Sequence, residues 1–179
     1  MSRKKLIDSS CYPDIDTLQA LSVKINCINE NEEIIEHGTG TLFANNGSYY
    51  VVTAAHCILN NTTKSFYDKR YIQISLPHIC KTLIEVNEII EFNSDDDADF
   101  ALLSVKLDID SFPISFDYEN DIQFIDKDEF CTNTCFYGYT SSEPTGRMFR
   151  ARMVSTNTYE VEENAISATG ADFSRVMKG

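Results

Sequence analysis

Apolar residues recur at every second position in several short runs of this chain, the pattern of strands with one buried face and one open face. Val23, Ile25 and Cys27 alternate with Lys24 and Asn26, and Ile72, Ile74 and Leu76 alternate with Gln73 and Ser75. Leu83 to Phe92 is mostly apolar and β-branched, and its phase slips near Asn87-Glu88, which predicts a bulge. The run Tyr49 to Val52 reads as a buried strand, and Phe100 to Val105 as a central one. Between Gly38–Phe43 and the Tyr49 run lies Asn46-Gly47, a strong hairpin signal because both central residues of a type I′ turn need positive φ. Together these make about six strands before residue 108, enough for one closed antiparallel barrel.

Beyond it the periodicity weakens over 109–127, a stretch holding Pro113 that suits a crossing between two barrels. A second strand set follows at Glu129 to Tyr139, Arg147 to Val154 and Ala165 to Thr169. Phe149, Ala151 and Met153 alternate there with Arg150 and Arg152. That is about half a barrel. The expected organisation is therefore a first barrel over 15–108, a crossing over 109–127, and a partial second barrel over 128–179. The expected class is all-β, a double antiparallel barrel with its second half incomplete.

Composition narrows the function classes. The 179 residues are 42% hydrophobic and 24% charged, ordinary values for a globular chain. A formal charge of −13 argues against a nucleic-acid partner, since phosphate binding needs clustered Lys and Arg, and Arg3-Lys4-Lys5 is too short to offset it. No run approaches the ~20 apolar residues that span a bilayer, and Ile7-Asp8-Ser9-Ser10 gives no signal-like apolar stretch after the basic start. No membrane partner is expected. Of the six cysteines, Cys131 and Cys135 lack the spacing and the second ligand pair of a zinc site. Asp95-Asp96-Asp97 reads as a solvated turn, because the calcium-loop spacing and its terminal glutamate are missing. Asn60-Asn61-Thr62-Thr63 holds glycosylation-type sequons that matter only in a secreted chain.

The chemistry centres on Thr53-Ala54-Ala55-His56-Cys57, which puts an imidazole where a buried strand ends. Asp99 directly precedes the apolar run Phe100-Ala101-Leu102-Leu103, 43 positions after His56. With Gly38-Thr39-Gly40-Thr41-Leu42-Phe43 upstream, these segments resemble the chymotrypsin/trypsin-like serine peptidases over roughly residues 20 to 179. In that family the histidine and aspartate stand about 45 positions apart. The resemblance implies a chymotrypsin-like fold and serine endopeptidase activity on proteins or peptides, with no cofactor and no metal. His56 would be general base and then acid. Asp99, as a buried carboxylate, would fix its tautomer.

The nucleophile is not found by the same reading. The family serine sits in a Gly-x-Ser-Gly turn about 90 residues after the aspartate. Counting with modest deletions leads to Gly179, which resembles the first glycine of that turn and would be an oxyanion donor. Ser141, Ser142 and Ser174 lack the flanking glycines of a tight turn and read as turn or strand-end residues. The chain alone is thus expected to be inactive, with the serine supplied by a further segment or chain. Arg175 falls near the position that sets S1 charge and would favour an acidic P1 side chain. The family's usual bridge partner for Cys57 is replaced by Gly38. That loss and the absent zymogen terminus point to reduced thiols and a cytoplasmic, non-zymogen enzyme. The alternative is a non-catalytic pseudo-peptidase that binds protein.

Overall fold

The computed structural model describes residues 5–7, 15–60, 62–79, 83–95, 98–108, 129–131, 133–139, 145–155 and 158–161. In chain order the elements are β1 (Lys5–Ile7), α1 (Ile15–Leu21), β2 (Ser22–Ile28), β3 (Ile34–Asn45) and β4 (Ser48–Thr53). A 3₁₀ turn over Ala55–Cys57, β5 (Leu59–Asn60), β6 (Ser65–Phe66), a second 3₁₀ turn over Lys69–Tyr71 and β7 (Ile72–Ser75) follow. Then come β8 (Leu83–Asp95), β9 (Ala98–Lys106), β10 (Glu129–Cys131), β11 (Asn133–Gly138), β12 (Arg147–Ser155) and β13 (Thr158–Val161).

Six of these strands close into an antiparallel barrel in the order β2-β3-β4-β9-β8-β7. The closing pair is β7 on β2, with Ile74 opposite Ile25. Closure removes the strand edges that an open sheet would leave unpaired. It also explains the alternation: every second side chain must enter the barrel. Val23, Ile25, Leu42, Val51, Ile74 and Leu103 are fully buried. Each of these contributes about 1.5–3 kcal/mol through area removed from water. The fold is all-β with a closed six-stranded barrel.

The predicted hairpin forms with Asn46 at φ 51° and Gly47 at φ 74°, joining the last pair Asn45 and Ser48. The phase slip in β8 is a bulge between Val86 and Glu88, and a second follows between Ile89 and Glu91. Two extra residues raise the local twist, which lets this 13-residue strand bend along the barrel wall.

One segment read as no strand is a helix, and four short strands arise where the alternation predicted none. The segment Ile15–Leu21 is helical, with Leu18 and Ala20 buried and Asp16 in its first turn. Ile15, Leu18 and Leu21 recur at helical spacing, but seven residues are too few to hold a helix by propensity. Packing holds it instead. Leu18 joins Tyr137, Tyr139 and Met148 in a small cluster outside the barrel. The unexpected strands are β1, β5, β6 and β13, each of two to four residues and too short to show an alternation.

Beyond the barrel, β11, β12 and β13 form an antiparallel sheet, and β1 pairs in parallel with β10. Among the described residues three polar contacts fasten this region to the barrel, one of them from the Tyr139 hydroxyl to the Ser22 carbonyl of β2 at 3.5 Å. The Tyr139 backbone engages Thr39 on β3. The His78 ring, in the turn after β7, lies 2.9 Å from the Thr145 carbonyl and 2.9 Å from the Tyr137 hydroxyl. Residues 109–127, with Pro113, and 165–169 lie outside the described residues, as do Asp96 and Asp97. Among the described residues no helix is long and apolar enough to cross a membrane.

Candidate active site

His56 is delivered by β4. The strand ends at Thr53, Ala54 stays extended at φ −70° and ψ 137°, and the chain then turns through Ala55–Cys57. Cys57 N–H donates to the Ala54 carbonyl at 3.1 Å and Ile58 N–H to the Ala55 carbonyl at 3.0 Å. Ala55 and Cys57 point inward and are buried, so the residue between them must face out. The pattern small-small-His-Cys makes a turn whose anchors are its neighbours.

Asp99 arrives on β9, beside β4 in the barrel. One carboxylate oxygen accepts the His56 backbone N–H at 3.0 Å, and the other pairs with ring Nδ1. A single carboxylate therefore fixes both the main chain and the ring of one residue. With Nδ1–H donated to Asp99, the neutral ring carries its lone pair on Nε2. The side chains of His56 and Asp99 remain 49% and 37% exposed. The carboxylate is thus partly open to water, where the sequence suggested burial.

His56 is pushed up to about 9 from its ordinary 6.5. The hydrogen bond to the Cys57 side chain contributes most, burial pulls the other way, and the Asp99 hydrogen bond and both partners' charges add to the rise. The surroundings therefore favour the protonated ring. It becomes a base only as that proton leaves.

Cys57 does more than follow the histidine. A Cβ built at Gly38 would lie 2.3 Å from its Sγ and 2.7 Å from its Cβ, so β3 passes under Cys57 where only glycine fits. Cys27 donates its thiol to the Cys57 carbonyl at 3.4 Å, and burial is the main cause that pushes Cys27 up to about 12. Both are free and buried. Sequence reasoning named Gly38 as part of the motif Gly38–Phe43 and as the place of a lost bridge; its contact with Cys57 is a packing role.

The structure thus brings His56 and Asp99 together. Gly179 and Arg175, like Ser141, Ser142 and Ser174, lie outside the described residues. Among the described residues no serine completes a triad with His56, and no group of three His, Cys, Asp or Glu side chains could hold a metal ion. Two surface grooves lie along the second 3₁₀ turn and β8, and neither is lined by His56 or Asp99. The sequence reading missed Thr39, Thr53 and Tyr139, whose hydrogen bonds surround the strand that leads to His56. Thr39 lay inside the motif Gly38 to Phe43, but nothing local tells its partner. Compared with protein-family models and with curated protein sequences, the chain matches none.

Proposed function

We propose that this chain carries the base and the orienting carboxylate of a trypsin-like serine endopeptidase with a chymotrypsin-type double barrel. The observation that carries this reading is the two-point grip of Asp99 on His56, through Nδ1 and through the backbone N–H. That grip leaves Nε2 as the atom that can exchange a proton. In this mechanism Nε2 takes the proton of a serine Oγ as that oxygen attacks the scissile carbonyl. It then passes the proton to the leaving amine, while Asp99 steadies the imidazolium formed between the two steps.

The substrate class is protein or peptide, and the chemistry asks for no cofactor. The resemblance sets the serine two positions after Gly179, with Gly179 N–H as an oxyanion donor and Arg175 as the selector of an acidic P1 residue. A reducing, cytoplasmic setting is supported by the buried free thiols of Cys27 and Cys57. A second reading, a pseudo-peptidase that binds protein, is favoured by one observation: no described serine completes the triad.

The test compares residues 1–179 with the same residues joined to a segment that supplies a Gly-x-Ser-Gly turn at Gly179, on casein and on fluorogenic peptides. The extended polypeptide should hydrolyse both and take a fluorophosphonate label on serine, while residues 1–179 do neither. Asp99→Asn and His56→Ala in the active form should each lower kcat by about 10⁴-fold or more. Peptide binding with no label and no turnover in the extended polypeptide would move the chain to the second reading.

A further inference from the structure

Three consecutive residues of the barrel, Gly38, Thr39 and Gly40, lie between the strand that delivers His56 and the sheet beyond the barrel. The middle one makes contacts in both directions. Its Oγ1 accepts the Tyr139 N–H at 2.7 Å and donates to the Tyr139 carbonyl at 3.3 Å. Both polar groups of one backbone residue, 100 positions away, are thus met by a single hydroxyl. On its other side the Thr39 carbonyl accepts Thr53 Oγ1 at 2.8 Å. Thr53 is itself buried and is the last residue of β4, three positions before His56.

These bonds form a short mechanical path. Tyr139 is 3% exposed and stands just past the end of β11, so it cannot drift without leaving buried polar groups unpaired. Thr39 lies in the middle of β3, paired with Lys24 on β2 and next to Gly40, where the ladder to β4 begins opposite Thr53, so a displacement of Thr39 is passed on to both neighbouring strands. Its neighbour Gly38 lies directly under Cys57. Movement of Tyr139 therefore reaches His56 from two sides, through Thr53 and through Cys57.

We propose that Thr39 is a positioning residue of this site: its hydroxyl and its carbonyl together fix the end of β11 against the strand that carries His56. The proposal rests on the reading of His56 as a general base, and it deepens that reading by naming what sets the base relative to the second sheet. Thr39 touches no substrate. It acts through Thr53 and Cys57. A serine at this position would keep the clasp, and a valine of equal shape would abolish it.

The experiment uses residues 1–179 and needs no turnover, so it stands or falls apart from the hydrolysis assay. Nuclear magnetic resonance reads two quantities: amide exchange at Tyr139, and the titration midpoint of the His56 ring. Thr39→Val should speed Tyr139 exchange about tenfold or more and cost His56 about threefold or more in proton affinity. Thr39→Ser should leave both close to the parent values. Faster Tyr139 exchange with an unmoved His56 midpoint would show a clasp that is only structural and would overturn the proposal. So would a Thr39→Ser chain that behaves like Thr39→Val, or a Thr39→Val chain with neither quantity changed. Should Thr39→Val fail to fold, Thr53→Val decides, since it cuts the same path one bond later. It should lower the His56 midpoint while sparing Tyr139 exchange, and an unmoved midpoint would again defeat the idea.

Discussion

The barrel and the sheet beyond it solve the same problem in opposite ways. In the barrel, six strands close on themselves, and one continuous set of buried side chains fills the interior. In the sheet, β11 to β13 remain open, and the described buried side chains next to it are Leu18, Tyr137 and Tyr139. Among the described residues, the first region is held by apolar area, and the second meets it through directed polar contacts beside the small apolar cluster around Leu18. His56 and Asp99 both come from the closed region, on β9 and just after β4. The relative placement of base and carboxylate is therefore a property of the barrel, whereas anything the sheet contributes depends, among the described residues, on the fastenings at Ser22, Thr39 and His78.

The sharpest way to break this contrast is to remove core volume from each region. Leu103→Ala empties a fully buried position on β9. It should cost about 2–5 kcal/mol through lost transfer free energy and the residual cavity. Met148→Ala removes a partly buried side chain from the small cluster and should cost less than about 2 kcal/mol. Urea unfolding followed by far-ultraviolet circular dichroism gives both numbers. Equal losses would mean that the two regions share one core and that the contrast is illusory.

A smaller effect sharpens it at the site itself. Gly38→Ala forces a methyl group to within 2.3 Å of Cys57 Sγ unless something moves. Overpacking of this kind costs about 1–3 kcal/mol. Because Cys57 follows His56 directly, the His56 ring resonances should shift while those of Tyr50 and Val105, on the far part of the barrel wall, stay in place. A fully stable variant with unchanged His56 signals would show that β3 has room to yield and does not locate the histidine.

The contrast also explains what could be read along the chain. Period-two alternation is imposed by barrel closure, so Val23-Ile25-Cys27 and Ile72-Ile74-Leu76 announced the interior directly. The Asn46-Gly47 turn was legible because its positive φ values are a local demand. His56 and Asp99 were legible as a pair because each sits at a strand terminus marked by its own short motif. The helix at Ile15–Leu21 was hidden because its seven residues are stabilised by contacts with β2 and β11 and not by their own pattern. Thr39 and Thr53 stand inside motifs, yet nothing local names the partners of either or of Tyr139. Their roles exist only once residues 100 apart are brought together. The exposure of Asp99 was likewise not encoded in Asp-Phe-Ala-Leu-Leu, since it depends on what the surrounding chain leaves uncovered.

The smallest expected effect asks which part of the barrel holds the proton of His56. Folding raises this group from 6.5 to about 9, so the folded chain binds the proton more tightly than the unfolded one. Its contribution to stability is complete below about pH 6.5 and disappears as pH rises through about 9. Cys27, pushed from 9.0 to about 12, adds its own loss only above about pH 9, so the two windows do not overlap. Because His56 and Asp99 are 49% and 37% exposed, solvent screening keeps the His56 part within about 0.2–1 kcal/mol. Urea midpoints taken at about pH 6, 7.5 and 9 should therefore decline modestly in the parent chain. Cys57→Ala should flatten that decline more than Asp99→Asn, since the Cys57 hydrogen bond is the larger cause of the rise. The comparison is between pH values within one variant, so the pH-independent cost of removing the sulfur above Gly38 cancels. If Asp99→Asn flattens the curve more, the carboxylate on β9 dominates, and His56 is governed by the strand opposite it, not by the turn that presents it.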